Sequence, residues 1–251
     1  MMRTAFRVGA LAALSLFSLC LPGLAMAGPS EYVITPIVEE GEREIDFKAG
    51  SAKLRDGSQE SSYSLGLGWG ATSWWFTEFY AMWHKEPGEQ HSFDAWEWEN
   101  KFQFTETGKY PIDIGLLLEI ERPKDRSEGY EFRWGPLLQT EIGSHVQANL
   151  NLLLEKHIRS SQASVTELGY QWQLKYRWRP MLDFGLQGLG SVGPWREWAP
   201  ASEQSHVAGP AIFGRASVGE RRAIKYNAGL LFGLNDGSPK TTLRLQAEYE
   251  F

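Results

Sequence analysis

Residues 110–121 read YPIDIGLLLEIE, and this stretch indicates the fold more clearly than the rest of the chain. Apolar side chains occupy alternate positions, and acidic side chains fall between them at Asp113, Glu119 and Glu121. An amphipathic helix needs apolar residues three and four positions apart, whereas a strand sends alternate residues to opposite faces. The stretch is therefore predicted to be a β-strand with one apolar face and one charged face.

The same alternation continues on both sides of this stretch, from about residue 42 to the end of the chain. We count about twelve such segments of roughly ten to fourteen residues, the length and even number typical of tilted strands in bacterial outer-membrane barrels. Polar, turn-rich connections alternate with mostly shorter ones. Residues 42–251 are thus predicted to be all-β, forming one antiparallel, up-and-down transmembrane β-barrel of about 12 strands.

The first 27 residues have the organisation of a secretory signal peptide. Arg3 and Arg7 precede an apolar run, which ends in AMA at residues 25–27, a small-x-small cleavage site. Because this site follows the run at once, we predict cleavage after residue 27 rather than an uncleaved membrane anchor. Residues 28–41 are predicted to be an extended periplasmic N-terminal lead-in, with insertion into the barrel as the alternative.

Composition excludes several classes of function. Residues 1–27 contain the only cysteine, Cys20, so the mature chain can form neither a disulfide nor a thiolate metal site. They also contain two of the 25 Lys and Arg residues and none of the 31 Asp and Glu residues, which leaves a mature net charge of −8. This acidic balance argues against a nucleic-acid binder. The sequence indicates no cofactor.

The end of the chain, TTLRLQAEYEF at residues 241–251, alternates strictly and finishes on Tyr249 and Phe251. A closed barrel has no free edge, so the last strand must pair with the first. Its outer face must be apolar because lipid offers no hydrogen bonds. The stretch resembles the C-terminal recognition signal of outer-membrane proteins. This resemblance implies that the outer-membrane insertion machinery reads Tyr249 and Phe251.

A longer resemblance covers KYNAGLLFGLNDGSPKTTLRLQAEYEF at residues 225–251 and EEGEREIDFKAG at residues 39–50. Both are similar to a group of putative outer-membrane proteins, some of which are associated with phenol-degradation (meta) pathways. The resemblance implies a barrel in the outer membrane of a Gram-negative bacterium, in contact with its lipids and lipopolysaccharide. It also suggests that the solute is aromatic or otherwise hydrophobic.

Charged residues of both signs occupy the inward-facing positions of the predicted strands. They form either a narrow polar path for a small solute or a set of cross-strand pairs that fills the interior. Glu119 and Glu121 are predicted to face Arg133 across one hairpin, which favours a filled interior, and a barrel of this size falls between filled barrels and open porins. The candidate solute path consists of Glu97, Glu99, Lys101, Asp113, Glu119, Glu121, Arg133, Lys175, Arg177, Arg215 and Arg244.

The leading functional prediction is passive or facilitated passage of a small solute, without enzymatic activity. The alternatives are an outer-membrane lipid or lipopolysaccharide hydrolase and a closed structural or interaction barrel. A hydrolase would need a nucleophile beside a base. Ser144 precedes His145 and Ser205 precedes His206, but neighbours on a strand point to opposite faces. Neither pair is therefore expected to share a proton directly.

Two further features lie, in this topology, at the extracellular end. The longest connection carries Trp195, Arg196 and Trp198, and it is predicted to anchor in the outer-leaflet headgroups, with a gate over the mouth as the alternative. No metal site is predicted, because the histidines have no usual ligand spacing. The oligomeric state is not predicted. The histidines placed at this end are His84, His91, His157 and His206.

Overall fold

A computed structural model describes residues 28–179, 181–220 and 222–251, and these residues form one closed β-barrel. The predicted signal peptide, residues 1–27, lies outside the described residues. The prediction of a 12-stranded antiparallel barrel is confirmed. The strands are β1 (Arg43–Lys53), β2 (Gln59–Thr72), β3 (Trp75–Lys85), β4 (Ser92–Gln103), β5 (Asp113–Pro123), β6 (Tyr130–Ile142), β7 (Val146–Ile158), β8 (Glu167–Arg179), β9 (Leu182–Pro194), β10 (Ser205–Gly219), β11 (Arg222–Gly233) and β12 (Thr241–Glu250).

Helix is almost absent from the part of the chain that the structure describes. A single 3₁₀ turn, Arg126–Glu128, lies between β5 and β6. No described helix is long enough and apolar enough to cross a membrane.

The barrel closes between its first and last strands. Each strand pairs with its sequence neighbours, and β1 pairs with β12 from Glu44 opposite Glu250 to Lys53 opposite Thr241. The backbone N–H of Phe251 also donates to the carbonyl oxygen of Arg43 at 2.9 Å. The chain therefore remains hydrogen-bonded to its last residue, because the terminal strand completes the cylinder.

Alternation along each strand separates a polar lumen from an apolar outer face. In β5, Asp113 and Glu119 are buried in the lumen, whereas Ile114 and Leu118 are exposed on the outside. Aromatic side chains stack on the outer surface near both ends, as in Tyr63–Trp83, Trp75–Phe102 and Tyr249–Phe251. This arrangement matches the apolar band and flanking aromatic girdles of outer-membrane barrels.

The two ends of the barrel differ in their connections. The end that carries the β1–β2, β3–β4, β5–β6, β7–β8, β9–β10 and β11–β12 connections is called the loop end, and the opposite end the turn end. Barrels of this class have short turns towards the periplasm and longer loops outside. The β4–β5 connection, residues 104–112, is an extended exception at the turn end.

Residues 28–41 run through the lumen from the loop end to the turn end, and we call them the inner segment. Gly41 donates its N–H to the carbonyl oxygen of Gly70 at the turn end, at 2.8 Å. Pro29 lies against Gly50, towards the loop end of β1, where an added Cβ would overlap the Pro29 carbonyl. The predicted periplasmic location is therefore wrong for most of the segment, and the alternative of insertion into the barrel is what the structure shows.

Apolar contacts hold the inner segment at mid-height. Ile34 is buried against Leu117, Leu137 and Leu153, three leucines on inward-facing positions of β5, β6 and β7. Full burial of one isoleucine side chain stabilises a protein by about 1.5–3 kcal/mol. These inward leucines interrupt the polar face of their strands because the segment lies on them.

Hydrogen bonds from the barrel wall satisfy the backbone of the inner segment. The amide of Asn151 donates to the carbonyl oxygen of Ile34 at 2.9 Å, and the Gln171 side chain accepts from the Ile34 N–H at 3.3 Å. The Gln103 side chain accepts from the N–H of Val38 at 2.7 Å. A buried backbone group without a partner is costly, so these amides allow an extended peptide inside the barrel.

Candidate functional site

A cavity of about 1000 Å³ opens at the loop end above the inner segment, and we call it the vestibule. Its lining includes Tyr32 and Lys48, together with loop residues of the β5–β6 and β7–β8 connections. Two of the lining residues are basic, Lys48 and Arg133, and eleven are acidic. The acidic residues are Glu31, Glu60, Glu86, Asp94, Glu97, Glu119, Glu121, Glu128, Glu131, Glu155 and Glu167.

Strand register concentrates the acidic residues on one side of the vestibule. Glu97 on β4 lies opposite Glu121 on β5, and Glu99 lies opposite Glu119 in the same ladder. Glu121 in turn faces Glu131 on β6. Like charges directly opposite each other destabilise a sheet. The wall therefore lowers the stability of the barrel unless cations compensate for it.

Arg133 joins this acidic wall to the inner segment. Its guanidinium donates to Glu119 Oε2 at 2.8 Å and to Glu31 Oε1 at 2.7 Å. The register pairs Arg133 with Glu119, as predicted, but it places Glu121 opposite Glu131 instead. The expectation that both glutamates face Arg133 is therefore wrong for Glu121, because one residue of a strand has only one direct cross-strand partner on that side.

Tyr32 and Lys48 form part of the vestibule floor. The Tyr32 hydroxyl donates to Glu99 Oε2 at 3.2 Å. The Lys48 ammonium lies 3.8 Å from the Tyr32 ring centroid and 3.7 Å from that of Tyr80. It also lies 3.7 Å from Asp46 Oδ2. Ammonium–ring contacts of this kind strengthen when water is excluded, so the floor combines one buried cation with aromatic faces.

At the vestibule rim, the 3₁₀ turn carries two carboxylates with shifted pKa values. Hydrogen bonds from the backbone N–H and hydroxyl of Ser127 lower the pKa of Asp125. Partial burial and the nearby carboxylates of Asp125 and Asp94 raise the pKa of Glu128. As the pH falls, Asp125 therefore keeps its negative charge to a lower pH than Glu128 does.

Three groups of side chains place potential metal-ligating atoms within 4.8 Å of one another. The group at the turn end is neutralised by Lys225, whose ammonium lies 3.0 Å from Glu42 and also pairs with Glu250. In the group on the vestibule wall, His157 Nε2 lies 3.4 Å from Glu131 Oε2. The groups are Glu42, Glu44 and Glu250; Glu131, Glu155 and His157; and Glu97, Glu99 and Glu119.

The predicted path residues fall into two sets on either side of the inner segment. Glu97, Glu119, Glu121 and Arg133 line the vestibule, and Glu99 lies beneath it on Tyr32. The other set lies alongside or below the inner segment. In this set, Arg244 donates to Gln187 at 2.8 Å, and Asp113 accepts from the N–H of Gly108 at 2.8 Å. Lys101 lies over the ring of Phe76, and Lys175 lies over the ring of Phe213. Arg177 pairs with Glu141, and Arg215 pairs with Glu250.

Buried amides fill part of the lumen at the turn end. Gln147 donates to Gln139 at 2.9 Å, and Asn149 donates to the same oxygen at 3.0 Å. Gln187 donates to Gln173 at 2.6 Å. The alternation of β7 and β8 is enough to place Gln147, Asn149 and Gln173 on the inward face, but it cannot show that they bond to one another, since their contacts depend on rotamers and on barrel shear.

The connection that carries Trp195 and Trp198, which we call the tryptophan loop, lies outside the vestibule. Trp195 and Trp198 are 46% and 62% exposed, and the Arg196 guanidinium lies 5.0 Å from the Trp195 ring centroid. Among the described residues, the vestibule lining reaches this region only at Pro194. This position is compatible with an anchor in the headgroup layer, and the choice between anchor and gate stays a prediction.

One Ser–His pair differs from the sequence expectation. Ser144 Oγ lies 2.6 Å from His145 Nδ1, so the prediction that this pair cannot share a proton directly is wrong. The reason is that both residues belong to the β6–β7 turn, and β7 begins only at Val146. Among the described residues, no hydrogen bond orients His145 Nε2, and the pair is exposed at the turn end.

The second pair follows the strand rule. Ser205 is buried in the lumen, and His206 turns away from it. His206 Nδ1 lies 2.8 Å from the Tyr170 hydroxyl, and Nε2 lies 2.8 Å from the Gln204 side chain. Both ring nitrogens therefore have partners other than Ser205.

Comparison with known proteins supports the fold. No family model and no curated protein sequence matches the chain. Among solved structures, an outer membrane channel from Pseudomonas putida F1 aligns with a TM-score of 0.60 at 11% identity, over 85% of this chain and 97% of that chain. The NanC porin aligns with a TM-score of 0.56 at 7% identity, over 82% of this chain and 98% of that chain. Likeness at such low identity establishes the shared barrel fold alone.

Proposed function

We propose that this protein is an outer-membrane channel through which small, positively charged solutes pass passively. The observation that carries the proposal is the vestibule, whose lining has eleven acidic and two basic residues. A cleft lined by one sign of charge between low-dielectric walls raises the local concentration of oppositely charged solutes. Neutral solutes gain nothing from this field, and anions are repelled.

The proposed location is the outer membrane of a Gram-negative bacterium after removal of residues 1–27. The fold supports this location, because a closed barrel with an apolar band satisfies every backbone group within lipid. Insertion by the outer-membrane machinery would use Tyr249 and Phe251 at the end of the closing strand. Lipids and lipopolysaccharide would surround the aromatic girdles.

A solute can pass through the barrel only if the inner segment is displaced. Tyr32 and Glu31 belong to the vestibule lining, so the segment lies directly below the entering solute. The polar contacts that hold it there, to Arg133, Glu99 and Gln171, are hydrogen bonds that water or solute can replace. A local shift of this one extended peptide would open a path without moving any strand.

The test is the ion selectivity of the refolded protein in a planar bilayer. Under a KCl gradient, we expect a reversal potential that shows preference for K⁺ over Cl⁻. Replacing both Glu121 and Glu131 by glutamine should reduce this preference, whereas Glu220→Gln in the exposed β10–β11 turn should leave it unchanged. Preference for Cl⁻ would refute the proposal, as would identical selectivity in the double variant.

A closed structural barrel is the second candidate. It is favoured by the filled lumen, in which the inner segment and the buried amides of Gln139, Asn149 and Gln187 occupy the space below the vestibule. Insertion without any current steps would support this alternative. Steps blocked by neutral aromatic solutes more strongly than by cationic ones would instead favour the hydrophobic solute that the family resemblance implies.

A further inference from the structure

The third group of potential ligands, Glu97, Glu99 and Glu119, lies at the bottom of the acidic wall. Its three carboxylates are 7%, 2% and 3% exposed, and one oxygen from each lies within 4.8 Å of the others. Glu99 and Glu119 face each other directly across β4 and β5. The group therefore places three buried carboxyl groups within the reach of one ion.

Existing partners account for two of the three carboxylates. Glu119 accepts two hydrogen bonds from the Arg133 guanidinium, at 2.8 and 3.2 Å. Glu99 accepts from the Tyr32 hydroxyl. Tyr32 belongs to the inner segment and Arg133 to the neighbouring strand β6, and neither donates a hydrogen bond to Glu97.

Glu97 has no such partner. Among the described residues, no hydrogen-bond donor and no ion pair within 4 Å reaches its carboxylate, although the residue is more than nine-tenths buried. It lines the vestibule together with Glu119, so its side chain is directed at space that an entering ion can occupy. A buried carboxyl group that accepts no hydrogen bond is unfavourable, and this one faces the route of entry.

The ligand geometry suits one hard divalent cation. Ca²⁺ binds carboxylate oxygens at about 2.3–2.6 Å, so two of its ligands can lie up to about 5 Å apart. Mg²⁺ requires shorter bonds in a near-ideal octahedron and retains more water. Oxygen atoms that all lie within 4.8 Å of one another can therefore ligate one Ca²⁺ ion, whose flexible coordination does not demand an ideal octahedron.

We propose that Glu97, Glu99 and Glu119 bind one Ca²⁺ ion at the floor of the vestibule. The ion neutralises the like-charge contact across β4 and β5 and gives Glu97 the partner that it lacks. Through Glu99 and Tyr32, it also strengthens the attachment of the inner segment to the wall. The inference goes beyond the proposed passage of solutes, because it concerns binding and would hold for a conducting or a closed barrel.

The two other groups do not support the same conclusion. Lys225 neutralises the group at the turn end, where it contacts Glu42 and Glu250. In the His157 group, Nδ1 lies 3.3 Å from the Glu128 carbonyl oxygen, which can only accept, and Nε2 faces Glu131. Each ring nitrogen of His157 therefore already has a protein partner.

The test uses the barrel of residues 28–251, refolded in detergent, freed of divalent ions with EDTA and exchanged into EDTA-free buffer. Titration with CaCl₂ by isothermal titration calorimetry should show one site per barrel. Glu97→Gln, which keeps the side-chain shape and removes the charge, should weaken binding by about tenfold or more. Glu60→Gln removes one charge from the wall at β2 and should change the affinity by less than about threefold.

Thermal unfolding gives a second measurement. CaCl₂ should raise the Tm of the wild type, because a ligand that binds only the folded state stabilises it, and this rise should be smaller in Glu97→Gln. If Glu97→Gln does not fold, Glu97→Asp keeps the charge but withdraws the oxygen and should also weaken binding. A folded wild type that binds no Ca²⁺ would overturn the proposal, as would equal losses in Glu97→Gln and Glu60→Gln. Channel activity does not enter either measurement, so a failure here leaves the selectivity test unaffected.

Discussion

At the scale of the residue, Arg133 is the group on which the vestibule floor most depends. Among the described residues, it alone contacts both the β5 carboxylate of Glu119 and the inner-segment carboxylate of Glu31, and its side chain is only 15% exposed. Removing one member of a buried ion pair costs about 3–5 kcal/mol, because the remaining charge is left without a partner.

We therefore expect Arg133→Gln to lower the free energy of unfolding by about 3 kcal/mol. The matched control is Arg177→Gln, since the Arg177–Glu141 pair is 43% and 34% exposed and such surface pairs contribute about 0–1 kcal/mol. Urea unfolding in lipid vesicles, followed by tryptophan fluorescence, measures both. Similar losses in the two variants would contradict the assigned role of Arg133.

A second prediction at this scale concerns the space that Gly50 leaves. An added Cβ would overlap Pro29 of the inner segment, so Gly50→Leu should destabilise the barrel by about 1–3 kcal/mol through overpacking. Ala49→Leu enlarges the neighbouring residue on the outward face and should have little effect. Equal stability of the two variants would mean that the segment does not lie against β1.

At the scale of the element, the strands could be predicted from the sequence and the inner segment could not. Alternation in residues 110–121 predicts both the β5 strand and the directions of its side chains, because the period of a strand follows from its geometry. The inner segment has no such period. Its position depends on three inward leucines and on Gly50 and Gly115, where an added Cβ would overlap Pro29 and crowd Pro36. These roles become visible only when twelve strands surround the segment.

Deleting residues 28–40 should therefore increase single-channel conductance, because the deletion removes the inner segment from the lumen below the vestibule. Deleting residues 195–199 of the tryptophan loop serves as the comparison. If that loop is an anchor in the headgroups, its deletion leaves conductance unchanged, whereas a change would support the gate. Unaltered conductance after the first deletion would show that the inner segment does not limit flow.

The closing strand gives another prediction at this scale. Tyr249 and Phe251 stack on each other with ring centroids 5.9 Å apart at the end of β12. If they form the insertion signal, replacing both by alanine should reduce the yield of heat-modifiable barrel in cell envelopes several-fold. Phe232→Ala, an exposed aromatic on the outer face of β11, is the control and should assemble normally.

At the scale of the whole molecule, the sequence predicted that the lumen is polar, but not that its charged residues fall into two separate sets. The predicted lumen residues alternate inward, yet cross-strand register separates those that line the vestibule from those that pair at the turn end. Arg215, for example, bonds to Glu250 and lies far from Arg133. Which inward charges meet depends on shear and on the inner segment, and neither can be read from the alternation of a single strand.

Orientation in the membrane is testable because residues 28–251 contain no cysteine. Ser161 lies in the β7–β8 loop at the loop end, and Ser144 lies in the β6–β7 turn at the opposite end. With the loop end outside, Ser161→Cys should react with a membrane-impermeant maleimide on intact cells, and Ser144→Cys should react only after lysis. The reverse pattern would invert the orientation.

The inner segment also has a consequence for how the barrel forms and comes apart. Its contacts reach β4, β6, β7, β8 and β12, strands that surround it together only once the cylinder is nearly complete. Such contacts are therefore expected to form after the transition state for folding. Losing them should therefore accelerate unfolding while leaving the folding rate almost unchanged, so that the segment acts mainly on the lifetime of the closed barrel.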